Sequence, residues 1–518
     1  MTVLWRNLKR AGSAVLALSI LVVLPVAAQA QRARLAVKAA PSQLSLQDAL
    51  AIARGQNPDY LVTQNEEQDA VWAVRQAYGA LLPTASVGMG FEYQAAGTPQ
   101  VVGGLNSSDF GISRTPPYYT SSWGLNFGYS ISGAVLFAPS LLKAQRRAAA
   151  AQTDLMGAQV DLGVTQLYVA VLQAQDALKL ANDQLASATE NLRLAEAKVK
   201  VGTAIALEAK QAQVEQGRAQ VTVLQRENDL AAQKLQLGQK IGAQLPPDVT
   251  LTTTFGVFTP PWSEADLLQR ALQRQPQLRA AAAQEQAAQA QVKSARTAYL
   301  PSLDLAVGFS GYARENGNTK LLVQQAQASS DASVKQCELY NQIAAGLTTP
   351  LAAQDCGLLV LTPDAQQKLL DGNNAFPFRF TSQPWYAQMR ISLPVFSGLN
   401  RERNLEGARL AAQTARLRTR QQELATRTAV STAYATLVTA QKAFDIEKVN
   451  REAAAEQLVL EQERYRVGSS SFVDLQAAQT RKAEADNSYI LALYGFQNAL
   501  ATLESAVGEK LQTPKTGN

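Results

Sequence analysis

The sequence is poor in the groups that carry out reactions. Its 518 residues include no histidine, which removes the commonest general base and metal ligand. No segment has the pattern of a nucleophile motif or of a glycine loop that cradles phosphate. Carboxylates are plentiful, but acid pairs are common on helix surfaces and do not by themselves make a glycosidase. An enzyme is therefore not expected, and neither a cofactor nor a metal site is called for. The two cysteines, Cys337 and Cys356, both fall in one polar loop. In an exported chain a loop-closing disulfide is the favoured reading, with two free thiols as the alternative, because spacing alone does not set their separation.

The start of the chain argues for export. Arg6, Lys9 and Arg10 precede a nearly all-apolar run from Ala14 to Val26, and Ala28-Gln29-Ala30 fits a signal-peptidase site. Residues 1–30 thus read as a signal peptide, with an apolar run short of the ~20 residues a spanning helix needs. No cysteine lies near the cleavage point to take a lipid anchor. No later stretch reads as a spanning helix, so entry into a membrane would have to use β-strands. The net charge of +6 falls to +3 without the three basic leader residues, and the remaining charges are scattered along helical faces. That pattern sets nucleic acid aside as a partner.

The elements that would position any site are written twice. Ser45-Leu-Gln-Asp48, Asn57-Pro58 and Leu82-Pro83 recur as Ser263-Glu-Ala-Asp266, Gln275-Pro276 and Leu300-Pro301, each offset by 218 residues. Each Ser-x-x-Asp is close to a capping box and starts a helix, and each Leu-Pro ends one. The period then changes to two. Val87, Met89, Phe91 and Tyr93 alternate with small or polar residues, as do Trp123 to Ile131, Leu303 to Phe309 and Trp385 to Val395. Runs of about ten residues with one aromatic-rich face and one polar face match a membrane barrel, although a soluble half-buried sheet also alternates. Export and the aromatics near the strand ends favour the membrane. Four strands cannot close a barrel alone, so several copies must share one. The inter-strand loops are unequal, from about Gln94 to Thr120 and from Ala313 to Ser382, and no site is expected in either.

Beyond Phe137 and Phe396 the period is helical again. Val164, Val171, Leu178, Leu185, Leu192 and Val199 are spaced by seven, with Leu167 and then alanines three residues after each, a sustained coiled-coil seam. A helix from Pro139 to Lys200 would be roughly 90 Å long at about 1.5 Å per residue. The second copy keeps its seam from Val430 to Tyr465 except at Arg451. Tyr168 and Tyr434 each lie 34 residues before the turn glycine of their copy. The turns are Val201-Gly202-Thr203 and Val467-Gly468-Ser469, and helices return from about Leu207 to Gln244 and from Val473 to Val507. The expected organisation is a first repeat over 31–244, a proline-marked connector over 245–262, a second repeat over 263–508 and a flexible tail over 509–518.

This ordered set of landmarks, repeated over about Leu44 to Val507, resembles the TolC family of outer-membrane efflux proteins. The resemblance implies a mainly α chain with a membrane β-barrel portion. In that arrangement a coiled-coil helical barrel continues a twelve-stranded barrel shared by a homotrimer, with four strands per protomer. It implies an exit duct across the outer membrane, fed by an inner-membrane transporter through a periplasmic adaptor protein, with outer-membrane lipid around the strands. A non-conducting periplasmic scaffold or tether is the alternative. By the same resemblance, Val201, Gly202, Thr203, Val467, Gly468 and Ser469 are adaptor-docking candidates, since a glycine turn exposes backbone to a partner. Glu208 and Asp474, six residues after each turn glycine, match pore-gate acids, and Tyr465 matches a tyrosine of the closed tip with Glu208 as its expected partner. Ser470 stands where a latch arginine is expected, and Ala477 where a second gate acid is expected.

Overall fold

A computed structural model describes residues 41–97, 100–101, 105–106, 116–346 and 352–511. The signal peptide, part of the first inter-strand loop and residues 512–518 lie outside them. In chain order the elements are β1 (Gln43–Leu44), α1 (Leu46–Gln56), α2 (Pro58–Gly79), β2 (Thr84–Gln94), β3 (Gln100–Val101), β4 (Leu105–Asn106), β5 (Tyr118–Ile131), α3 (Gly133–Lys200) and α4 (Ala206–Ile241). After β6 (Thr250–Leu251) come α5 (Glu264–Arg274), α6 (Pro276–Arg296), β7 (Ser302–Asn316), α7 (Thr319–Ala345) and α8 (Pro363–Asn373). The chain finishes with β8 (Thr381–Ser382), β9 (Tyr386–Ser392), α9 (Asn400–Arg466) and α10 (Phe472–Val507). It divides into a helical unit, made of 41–72, 143–290 and 409–511, and a sheet-bearing unit, made of 73–142 and 291–408.

In the helical unit the capping serines start their helices. Ser45 and Asp48 form a reciprocal capping box, and the Ser263 hydroxyl accepts the Asp266 N–H. Two apolar cores match the duplicated pattern. Leu44, Ala49 and Ala53 pack with Val160, Val164, Tyr168 and Val171 of α3 and with Leu237 and Ile241 of α4. Leu267 and Ala271 pack in the same way with Val430 and Leu437 of α9 and with Phe496, Leu503 and Val507 of α10. Two equivalent tyrosines tie their long helices to the segments packed beside them. Tyr168 donates to the Leu44 carbonyl at 2.8 Å and accepts the Thr253 N–H at 3.1 Å, while Tyr434 donates to the Trp262 carbonyl at 3.2 Å.

Several expectations need correction here. Helix α3 begins at Gly133 and runs through Pro139, which forfeits one i to i−4 bond without ending it. The same helix contains a stretch long and apolar enough, by composition, to cross a membrane. Part of its apolar face is committed to protein instead, since Val160, Val164, Tyr168 and Val171 are buried in the core. The connector also carries a short strand, β6, which pairs in parallel with β1. Two residues of the expected tail are tied to the helices. Leu511 is buried in the second core, and Glu509 is paired with Arg270 and Arg274.

In the other unit the main sheet is antiparallel in the order β2-β5-β7, and both β8 and β9 pair with β7. Among the described residues it thus has five strand segments in four positions, since β8 and β9 lie one after the other along the same edge of β7. Pro384 separates the last two, and β9 ends at Ser392, before Pro394, because proline brings no ladder donor. The register puts Val87, Leu125 and Phe309 on one face, and Gly88, Gly124 and Ser310 on the other. Among the described residues, β2 and β9 each have a single sheet neighbour and form its edges.

The long second loop is also more structured than expected. β7 continues to Asn316, and α7 and α8 fold within 313–382. Asn318 caps α7 by accepting the Leu321 N–H, and Thr362 caps α8 by accepting the Ala365 N–H. Cys337 lies in α7 and is disulfide-bonded to Cys356, with the Cα atoms 5.7 Å apart.

Candidate functional site

The two hairpin turns have the same backbone geometry. Gly202 has φ +78° and Gly468 has φ +81°, in the left-handed region that favours glycine. The residue after each glycine donates its N–H to a carbonyl of the preceding helix, Thr203 to Lys198 and Ser469 to Arg464, both at 2.9 Å. Their hydroxyls reach the same carbonyls. This is the Schellman closure of a helix end. It leaves Val201 and Val467 projecting from the turns, 73% and 71% exposed.

Beyond the turns the equivalence stops. Helix α10 starts at Ser471, whose hydroxyl accepts the Asp474 N–H while the Asp474 carboxylate accepts the Ser471 N–H at 3.3 Å. Asp474 is therefore occupied in a capping box, and those bonds from Ser471 hold its carboxyl below the usual aspartate range. Helix α4 starts at Ile205, which has no side chain able to cap. Glu208, at the matching third helical position, is left to reach elsewhere. It accepts the Tyr465 hydroxyl at 3.3 Å, across 257 residues of sequence.

Tyr465 is the centre of the tip. It is 3% exposed and packs with Phe472, Leu475, Ala195 and Ala212. Burial, reinforced by the Glu208 charge and hydrogen bond, pushes its hydroxyl up to about 12. The Lys198 ammonium lies 3.5 Å from the ring centroid and donates to the Tyr465 carbonyl at 2.6 Å. A single cation thus joins the end of α3 to the end of α9. Ser470, in the position of the expected arginine, instead donates to Glu461, which also pairs with Arg464 at 3.1 Å.

Further along the same hairpins, a cleft of about 700 Å³ is lined by Asp176, Asp183, Glu215, Arg451, Lys482 and Asp486 among others. Arg451, which breaks the heptad seam, pairs with Asp486 at 2.9 Å and sits over the Tyr489 ring. Lys482 bonds the same carboxylate.

The structure therefore brings Glu208 and Tyr465 together and sets Asp474 apart in its cap. Lys198 was missed in the sequence, although a cation in the last turn of a helix is itself a signal. Among the described residues no cluster of His, Cys, Asp or Glu could hold a metal ion.

The pattern of the outer membrane efflux proteins matches residues 49–243 and again 267–509. The chain belongs to the outer membrane efflux protein family. This is the family to which the resemblance pointed, and it places the protein in the outer membrane as an exit channel. Solved structures agree in fold. The chain is similar to CusC at 17% identity and a TM-score of 0.64, covering 90% of this chain and 92% of that one. It is similar to the CmeC outer membrane channel of Campylobacter jejuni at 15% identity, TM-score 0.64, covering 90% and 87%. The open state of the Neisseria gonorrhoeae MtrE channel matches at 18% identity, TM-score 0.63, covering 90% and 89%. Comparison with curated proteins finds no match.

Proposed function

We propose that this efflux-family channel works as a homotrimer, the outer-membrane duct of a tripartite efflux or type I secretion assembly. One observation carries the reading. The main sheet has an apolar face, a polar face and an edge at both β2 and β9, so one copy cannot satisfy its own strand edges in lipid. Three copies joined edge to edge would close the barrel, with the polar face toward the lumen and the apolar face toward lipid. The helical unit belongs to the periplasm. Its exposed turns at Val201, Gly202, Thr203, Val467, Gly468 and Ser469 are the docking points for a periplasmic adaptor, which connects the duct to an inner-membrane transporter that supplies the energy.

The Tyr465, Glu208 and Lys198 contacts hold the tips closed, and Asp474 contributes acidic charge beside the pore. Rings of such acids favour cations. The first test is the protein mass of the detergent-extracted particle with detergent subtracted. Three mature chains are expected; a stable monomer would overturn the shared barrel and return the tether reading. A second test is ion selectivity in planar bilayers, where Asp474→Asn should lower cation preference, and unchanged selectivity would remove Asp474 from the pore.

A further inference from the structure

The segment after α8 does not leave the sheet but folds back over its apolar face. Phe91, Ser121 and Ala313 are register partners across β2, β5 and β7, so they form one row on that face. Ser121 and Ala313 are too small to continue the apolar surface, yet they are 0% and 2% exposed. What covers that level is Phe376-Pro377-Phe378. The Ser121 hydroxyl donates to the Pro377 carbonyl at 2.6 Å. Phe91 meets the rings of Phe376 and Phe378 edge-on, each at 6.3 Å, and Tyr119 lies 5.4 Å from Phe376.

The segment is also pinned at its root. Asn373 accepts the Asn316 N–H at 2.7 Å and donates to its carbonyl at 2.9 Å, and the Phe376 N–H donates to Glu315 at 3.3 Å. Such anchoring holds a fixed surface rather than a passing loop. Phe378 remains 56% exposed beside Phe91 at 57% and Tyr93 at 58%.

We infer that Phe376-Pro377-Phe378 is a lipid-contacting hook, which completes the outer edge of the channel's membrane-facing band. The inference rests on the membrane reading of the apolar face. Length supports the role. The large apolar residues of β7, Leu303 to Phe309, span about 20 Å along the strand, or ~15 Å of height at the usual tilt, against a band of about 25 Å. One row up, the Trp123 ring lies over Gly311, where an added Cβ would collide with the indole nitrogen. Extending the band to the row of Ala313 makes ~33 Å along the strand, or about 25 Å of height. The hook supplies that row. Charge begins beyond it, at Glu315, two residues past Ala313 on the same face of β7, and at the Arg379 guanidinium, which turns back to the carbonyls of Asp371 and Asn374 at the end of α8.

The test uses the full chain in phosphatidylcholine/phosphatidylglycerol vesicles. Both native cysteines are in the disulfide, so Phe378→Cys adds one thiol for a nitroxide label. Oxygen, which concentrates in lipid, should relax that label several-fold more than a water-soluble nickel chelate does, as it should at Ile391→Cys on the same face. Lys368→Cys on α8 should show the reverse. Nickel access at 378 with a lipid signal at 391 overturns the hook alone. Nickel access at both overturns the membrane reading itself. Protection of 378 from both reagents means a neighbouring chain covers it, which also overturns the lipid contact. Should the variant fail to assemble, carbene labelling of the unsubstituted protein from a diazirine-bearing lipid reads the same contact. Label within 376–380 is expected, and its absence there while β9 is labelled rejects the hook.

Discussion

The two hairpin tips share a turn and differ in the helix start beyond it. Both close with a left-handed glycine and a back-bonded Thr203 or Ser469. In the second tip a serine stands at the helix start and takes the acid three residues on into a cap. In the first the equivalent place holds Ile205, and the acid is free to bond the buried Tyr465. Two carboxylates at matching sequence positions thus have different work, one stabilising its own helix and the other joining the two hairpins. The lesson is that the residue at the cap, not the acid itself, decides where the acid goes.

The largest expected effect comes from removing the group on which the first tip depends. Tyr465→Ala should cost about 3 kcal/mol of local stability, the range for truncating a buried aromatic. It should raise single-channel conductance in planar bilayers several-fold if this contact holds the tips. Unchanged conductance would reduce Tyr465 to a packing residue. Next in size, Asp474→Ala should weaken the start of α10 by ~1 kcal/mol, the usual value of a cap, read as about fivefold faster amide hydrogen exchange over residues 472–475. Glu208→Ala should leave exchange at the start of α4 unchanged. Equal effects at both helix starts would break the comparison.

Ile205→Ser sharpens it from the other side. A hydroxyl there would offer Glu208 a cap, adding about 0.5–1 kcal/mol to the start of α4 and drawing the carboxylate from Tyr465. Slower exchange at α4 with higher conductance is the expected pair of results. The smallest effect is in pH. Tyr465 holds its proton more tightly in the folded tip than its ordinary value near 10, so its contribution is complete below pH 10 and is lost as pH rises toward about 12. Ultraviolet titration should show this late tyrosine. Glu208→Gln should bring it down only part of the way, since burial is the larger cause.

Much of the architecture was legible from short-range pattern. The landmarks offset by 218 residues mark the duplicated helices, and alternation from Val87 to Tyr93 marks β2. Glycine at 202 and 468 marks left-handed turns. Each of these signals is only a few residues long. The misreadings have a shared physical origin. The span that holds α7 and α8 reads as loop because it lies between two strands and is marked by polar and turn residues, although α7 alone runs for 27 residues. The β1–β6 pair escaped notice because two-residue strands have no period to detect. The residues from Glu509 onward carry no sequence pattern, because the burial of Leu511 depends on a core assembled from α5, α9 and α10.

The sequence by itself determined the period of each segment, the places where helices must stop, the absence of histidine chemistry and the family. All of these are properties of neighbouring residues or of composition. Only the tertiary structure decided that Glu208 meets Tyr465 while Asp474 does not, that Lys198 lies on the tyrosine ring, and that Phe376 and Phe378 cover Ser121. These contacts join residues up to 267 positions apart. A side chain's partner at that separation is set by how helices and strands pack, which local periodicity does not encode.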